Sequence, residues 1–340
     1  MTEPKTMPIA VWQVTLGGDD LTAKLQPRLI ELSLTEKRGS EADQLDIVLH
    51  DTDGALVMPK KGAVLSVKLG WLQGRGLPLG LIDKGRFKVD EVKWADNPDR
   101  LTITARSADF TDAFRVKKER AFVGKSVAHI IGLIAADNGL TPVVHPDLSS
   151  KIVPALGGTA RSDAALLMAL GKRYDAAATV KADRLIFAPA GKGDSASGKG
   201  LPALIIDRSD TSPGQSYEEV AREDYAGVSA VWHNKATGRQ ETITVGAGTT
   251  AKKPKRLRKV YHTEADAQAA AQAEYTRTAR AKAKMSFPLA LGRPDAFPDR
   301  PVTLTGWKST ITAHKWTIAE ATHRMDGNGG LTTSVQLESV

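Results

Sequence analysis

A β-hairpin written twice limits what this chain can fold into. Residues Gly85 to Arg106 read as a strand, a turn and a return strand. Because successive side chains of a strand alternate, the first run places Phe87, Val89, Glu91 and Lys93 on one face and Lys88, Asp90, Val92 and Trp94 on the other. Asn97-Pro98-Asp99 supplies the turn. Leu101, Ile103 and Ala105 then alternate with Thr102, Thr104 and Arg106, the pattern of a strand with one buried face. Near the C-terminus, Trp316 to His323, Asp326 to Gly330 and Leu331 to Leu337 repeat the strand, turn, strand order. The echo reaches upstream, where Gly62 to Trp71 precedes the first hairpin and Pro301 to Trp307 the second. The connectors, Leu72 to Arg86 and Lys308 to Lys315, are unequal. Copies this far apart are no solenoid period, so two homologous antiparallel β domains with something between them are expected.

The rest of the chain fills in that plan. Residues 1–8 read as a flexible tail. Strands at Ile9 to Leu16, Leu29 to Thr35 and Asp43 to Leu49, with Arg38-Gly-Ser40 turning between the last two, complete a first module over 9–108. Residues 109–190 form a small α+β insert. There Val127, Ile130, Ile131 and Ile134 recur at helical spacing up to a stop at Asn138-Gly139, and a second helix runs from an N-cap at Ser162 to Tyr174. Strands Ala177 to Lys181 and Arg184 to Pro189 follow, with a turn at Ala182-Asp183. Residues 191–200, GKGDSASGKG, are a linker by composition. The second module, 201–340, opens with Ala203 to Ile206, Tyr225 to His233 and Thr242 to Val245, then a glycine-rich basic loop from Gly246 to Lys259. Thr263-Glu-Ala-Asp266 has capping-box spacing and starts an alanine-rich helix over 263–283, expected to lie close along a barrel wall.

Composition removes several classes of function. The chain has no cysteine, so it uses neither disulfides nor thiolate zinc sites. Its N-terminus lacks a basic start followed by an apolar stretch, and no apolar run approaches the roughly 20 residues of a membrane span. Synthesis and folding in the cytoplasm without membrane association are therefore expected. The formal charge is +8, and residues 249–284 alone carry 10 Lys and Arg against 3 Asp and Glu. This excess centres on the basic run 252–259, which is open to three readings: a solvated loop, a face for an acidic neighbour, or a face for phosphate. Only Tyr261 is near enough to stack on a base, a weak signal for nucleic acid.

Chemistry is hard to find. Histidines 50, 129, 145, 233, 262, 314 and 323 are scattered without metal-site spacing, and are expected as surface or strand-end residues. Gly74-Arg-Gly76-Leu-Pro-Leu-Gly80 opens no helix and reads as a strand connector rather than a phosphate loop. Asp51-Thr-Asp53-Gly54 begins like a calcium loop, but Gly62 stands where its twelfth-position glutamate belongs, so a turn is expected. Asp90 and Glu91, adjacent on a strand, point to opposite faces and do not form a hydrolase pair. Glu218-Glu219 and Glu223-Asp224 lie near one another in sequence with nothing to place them in a cleft. The acids of the insert, Glu119, Asp137, Asp147 and Asp163, are the candidates left to a hydrolase. No catalytic, cofactor-binding or metal-ligating residue is assigned, and no cofactor is expected.

The sequence as a whole resembles the phage late control D family, the tail hub proteins of contractile-tailed phages and related injection machines. The resemblance rests on Gly85 to Val92, Ser107-Ala-Asp-Phe110, Ser162-Asp163 leading to Lys172-Arg-Tyr-Asp-Ala176, and Tyr225 to Trp232. It continues through Leu289-Ala-Leu-Gly-Arg-Pro-Asp295, Pro301 to Lys308, and Trp316 with His323. These pieces keep family order over nearly the whole chain. Arg161 departs from the pattern, where a glutamate is expected. The chain also ends with the second β module, whereas type VI spike proteins continue into further domains, so the spike is expected as a separate chain.

The resemblance implies a mainly β protein in which two tail-tube-like antiparallel β-barrel modules flank the α+β insert. It implies a homotrimer with pseudo-sixfold symmetry that joins the tail tube to a trimeric spike around a central channel within the virion baseplate. The partners implied are other copies of the chain, the spike, the tube or its initiator and other baseplate proteins, with DNA only in transit. A tail-tip peptidoglycan hydrolase and a DNA-binding β-barrel are the rival readings.

Overall fold

The computed structural model describes residues 7–39, 42–107, 112–157, 161–181, 183–219, 227–246, 253–280, 282–328 and 330–340. Six long strands come first, besides the two-residue Asp19–Asp20: β1 (Ile9–Leu16), β2 (Leu29–Lys37), β3 (Gln44–His50), β4 (Val64–Gln73), β5 (Gly80–Ala95) and β6 (Arg100–Ser107). An α/β segment follows, with α1 (Val127–Asp137), β7 (Thr141–Val144), α2 (Asp163–Tyr174), β8 (Ala176–Lys181) and β9 (Arg184–Pro189). The remainder holds β10 (Leu204–Asp207), β11 (Ser216–Glu219), β12 (Val228–Asn234), β13 (Arg239–Val245), β14 (Lys255–Tyr261) and α3 (Glu264–Ala279). It ends in β15 (Ala283–Leu289), β16 (Pro301–Thr305), β17 (Trp316–Asp326) and β18 (Leu331–Ser339).

The first six strands lie in the order β2-β3-β6-β5-β4-β1, and the second half repeats it as β11-β15-β18-β17-β16-β10. Period-two patterning explains these strands. In β3, Leu45, Ile47 and Leu49 are buried while Gln44 and His50 are exposed, and in β18 Leu331, Val335 and Leu337 face inward between exposed Thr332, Ser334 and Gln336. One pairing departs from the repeat, since β1 runs antiparallel to β4 whereas β10 runs parallel to β16.

Two closed barrels were expected, but the pairing makes one large, mostly antiparallel sheet. β2 pairs not with β1 but with β17 of the other half, from Glu320 opposite Lys37 to Asp326 opposite Glu31. An edge strand completes its backbone hydrogen bonds with whatever edge lies beside it, and here that edge is the other module. Gly327 permits the approach: its N–H donates to the Ile30 carbonyl at 3.0 Å, and a Cβ there would lie 2.1 Å from the Leu29 carbonyl oxygen.

Two cores line this sheet, the first shared by both halves, since Met325 and Leu331 of the second hairpin pack into it. The first gathers Val14, Leu32, Ile47, Val67, Phe87 and Leu101, and the second Ile206, Phe287, Leu304, Trp316, Ile318 and Leu337. A third core, in the insert, packs Ile130, Ile131 and Ile134 of α1 and Leu166 and Leu170 of α2 against Leu185 and Phe187 of β9. Ser162 caps α2 as expected and Ser126 caps α1, each hydroxyl accepting from the third backbone N–H beyond it at 3.2 Å.

Four local expectations change. Asp90 is an extra residue in the ladder, because Val89 lies opposite Ala105 and Glu91 opposite Thr104. That bulge swings Val92 and Trp94 onto the face of Phe87 and Val89. β12, β13 and the alanine-rich helix do not build a barrel wall. β12, β13 and β14 form a separate three-stranded sheet, and Val228 and Ala230 pack on Ala267 and Ala271 of α3. The helix itself ends at Ala279, because Ala283 already begins β15. The Gly/Ser-rich stretch 191–200 is a tight loop, with Ser195 N–H bonded to the Lys199 carbonyl at 2.7 Å and Leu201 N–H to the Gly193 carbonyl at 2.8 Å. Ser40, Ala182, Tyr225, the Ala108 to Phe110 part of one family motif, and Glu223-Asp224 lie outside the described residues. No described helix is long and apolar enough to cross a membrane.

Candidate assembly surfaces and the joint between the modules

The joint between the halves is polar at its centre. A second bulge in β5, with Val67 opposite Gly85 and Lys68 opposite Asp83, turns Lys84 inward, where its ammonium meets Glu36 of β2 at 2.5 Å. His323 of β17 stands beside them, its Nε2 3.2 Å from both the Glu36 carboxylate and the Ala296 carbonyl. Since both of these partners accept, Nε2 carries the proton. Nδ1 then accepts from the Thr333 hydroxyl at 2.9 Å. That hydroxyl in turn accepts from the Arg293 N–H at 2.9 Å, so each of these buried groups has a partner.

The charge states follow from this geometry. Burial pushes the Glu36 carboxyl upward, but Lys84, His323 and Lys181 together outweigh it and hold it below its ordinary value. Burial, then the Lys84 charge, pushes His323 below its ordinary value, against the pull of Glu36. Burial likewise pushes the Lys84 ammonium down, against the attraction of Glu36. The two partners' shifts pull opposite ways, and the 2.5 Å contact decides for a carboxylate and an ammonium beside a neutral imidazole. Arg38 extends the joint, reaching Asp299 at 2.6 Å and Glu338 at 2.8 Å.

The insert is tied mainly to the second half. Arg173 of α2 pairs with Asp266 of α3, Arg280 pairs with Asp175, and the Gly191 N–H donates to the Asp299 carboxylate at 2.8 Å. Toward the first half it offers an exposed contact between Asp183 and Arg86, and Lys181 at 3.6 Å from Glu36. A cavity of about 650 Å³ opens between those elements, lined by Glu36, Lys84, Arg86, Lys181 and Asp299 among others. Its cations and anions face each other, which suits a seam between bodies rather than a site for a charged ligand.

Of the acids singled out in the sequence, Asp137 and Asp163 are brought together around Lys118 and Arg120. Asp163 is fully buried, yet Lys118 lies 2.8 Å and Arg120 3.3 Å from it. Arg120 also meets Asp137, while Asp147 sits with Lys192 at 2.6 Å and Glu119 is exposed. Asp137, Asp147 and Asp163 each face a cation. Asp51 to Gly54 is a turn closed by Gly54 N–H to the Asp51 carbonyl at 2.9 Å, with the Asp53 carboxylate held by Arg28. Glu218-Glu219 lies exposed on β11. Of the histidines, 145 and 323 are buried, against expectation. A signal for His323 was present, since it occupies in the second hairpin the inward slot that Val92 fills in the first. In the basic run, Lys255 pairs with Glu274 at 3.0 Å and Lys259 covers the Tyr261 ring at 5.4 Å. Arg256 and Arg258 are exposed, and Lys252 lies outside the described residues.

Comparison with known proteins narrows the meaning of this architecture. No family model matches the chain. Over 365 residues it is 36% identical to the "Probable baseplate hub protein" of Escherichia phage 186, covering 96% of this chain and 92% of that one. Among solved structures, the tail protein from Neisseria meningitidis MC58 superposes with a TM-score of 0.66 at 12% identity, covering 97% of this chain and 96% of that one. An E. coli component of the type VI secretion system, described as similar to T4 bacteriophage tail proteins gp27 and gp5, superposes with a TM-score of 0.55 at 10% identity, covering 91% of this chain and 73% of that one. At such identities the superpositions speak for the fold alone.

Proposed function

The chain belongs to the family of phage baseplate hub proteins, and from that premise we propose that three copies close into a ring joining a sixfold tail tube to a threefold spike. The hub is a structural component of the virion tail baseplate. The observation that carries the ring is the repeated strand order of the two halves. Two like modules per chain give six in a trimer, so a closed cyclic assembly meets a hexamer on one face and a trimer on the other. Residues 9–108 and 201–340 then each supply one tube-like β unit, with residues 109–190 an insert domain beside them. The strands of both units surround a channel through which DNA passes after the spike has left. The tube or its initiator, the spike and other baseplate proteins are the partners.

Light scattering on the purified chain, alone and mixed with the spike protein of the same particle, tests this. A mass of three chains in either sample is expected, and a monomer in both overturns the ring. A lytic role would announce itself in a peptidoglycan zymogram as a clear band lost in Asp137→Asn or Asp163→Asn. No band is expected.

A further inference from the structure

The insert is fastened unequally to the two halves. Toward the first half, among the described residues, it reaches by Lys181 to Glu36 at 3.6 Å and by Asp183 to Arg86. In both pairs the insert's own side chain is exposed, 47% for Lys181 and 71% for Asp183. Toward the second half it has Arg173 on Asp266, Asp175 on Arg280, and the Lys172 carbonyl accepting from Arg277 at 3.0 Å. The cavity of about 650 Å³ lies on the loosely held side, with Ala177 and Thr179 of β8 and Ile186 and Ala188 of β9 in its wall. A body held firmly on one side and loosely across a cavity is free to rock about the firm side.

The loose tie ends on the buried joint, where it shares one carboxylate with two other groups. Glu36 holds Lys84 and His323 on one oxygen, at 2.5 and 3.2 Å, and Lys181 on the other at 3.6 Å. With His323 neutral, two cations share this anion. A proton on His323 makes three. Lys84 is 2% exposed and His323 fully buried, so Lys181 is the member that can leave for water. The neighbours offer the new charge no second anion. β18 contributes the Thr333 hydroxyl, and the loop before β16 the Ala296 carbonyl. Asp295 of that loop is taken up by Arg293 and Arg300, Asp299 by Arg38, and Arg324 beside His323 lies in an exposed pair with Glu31.

We infer that His323 is an acid-operated latch for this seam: neutral, it leaves Lys181 on Glu36 and the insert closed; protonated, it takes the place of Lys181 and lets the insert rock open. The pivot is the insert's set of contacts with the second half, and the opening exposes the cavity wall to solvent. Burial and the Lys84 charge oppose the proton while the seam is shut. Opening admits water and removes the Lys181 charge, so proton uptake and opening favour each other. The response therefore falls below the ordinary 6.5 of an imidazole. The join of β2 to β17 stays whole, because the charged His323 holds Glu36 more strongly than the neutral one.

The absence of cysteine lets the seam be read directly. Spin labels on Lys88→Cys of β5 and Arg184→Cys of β9, both at exposed positions, report the distance across it by double electron-electron resonance. The full-length labelled chain is diluted with unlabelled chain, so that only pairs within one chain are read. One short distance is expected at about pH 8. At about pH 5 a second, longer population should appear, the open-to-closed ratio rising roughly tenfold and returning when the pH is restored. His323→Gln, uncharged throughout, should abolish the change. Lys181→Met, at an exposed side chain, should show the longer population already at about pH 8. A distance that ignores pH, an opening that survives in His323→Gln, or a pH response unchanged in Lys181→Met overturns the latch. So does a longer distance that appears only together with loss of the folded circular dichroism signal.

Discussion

Lys84 and Arg86 sit two residues apart on β5, and each meets a carboxylate from another part of the chain. Lys84 pairs with Glu36, side chains 2% and 1% exposed, whereas Arg86 pairs with Asp183, 49% and 71% exposed. The bulge that turns Lys84 inward is what separates them. Identical chemistry therefore carries different consequences. A buried pair has given up its water, so losing one partner strands an uncompensated charge. An exposed pair exchanges its partner for solvent and salt at little cost. The centre of the joint is thus a charge pair held within the first half and covered by His323 of the second, while Arg86 of the first half meets Asp183 of the insert in a contact that separates cheaply.

The comparison is broken most sharply by Lys84→Met, which leaves Glu36 charged and buried. A loss of about 3–5 kcal/mol is expected in chemical denaturation. Adding Glu36→Leu should recover most of it, because removing both charges removes the desolvation penalty too. A double variant as unstable as the single one would show that packing, rather than charge, holds the joint.

On the insert's other side, Arg173→Ala should cost about 1–3 kcal/mol, since Asp266 is itself 6% exposed. Amide hydrogen exchange in α2 and α3 should rise with little change in β2 and β17.

Acidity should act on the buried joint in two steps. Burial lowers His323 below its ordinary 6.5, so below that pH the unfolded chain takes up the proton first and stability falls as pH falls. Glu36 is likewise held below its ordinary 4.5, so its contribution is present above that value and is lost as pH drops further. Denaturation midpoints should therefore be flat above pH 6.5 and decline below it. His323→Gln should flatten the upper part of the decline.

The smallest effect belongs to Arg86→Ala. A change of about 0–1 kcal/mol is expected, and a larger one would mean that the insert is fastened to both halves alike.

Much of this molecule was legible from the pattern of side chains. Val127, Ile130, Ile131 and Ile134 announce α1, and Ser162 and Thr263 announce helix starts, because local spacing and capping depend on neighbours in sequence. The alternation in residues 101–107 and 331–339 announces β6 and β18 for the same reason. What failed were inferences that needed a distant partner. Asp90 and Lys84 are polar residues in a strand until the ladder shows that each is an extra one, and only the register shift turns Lys84 inward. The loop at 191–200 looks like a free linker because its ordering comes from backbone bonds that composition does not record. His323 and Glu36, 287 residues apart, have no reason in sequence to meet.

The sequence by itself determined that this chain carries one β module twice with an α+β segment between, because hydrophobic period and turn chemistry are local and survive in any context. Only the tertiary structure decided that the copies share one sheet rather than closing separately. An edge strand specifies that its backbone must be paired, not with whom, and the choice of β17 as the partner of β2 depends on shapes and charges that come together only when the chain has folded.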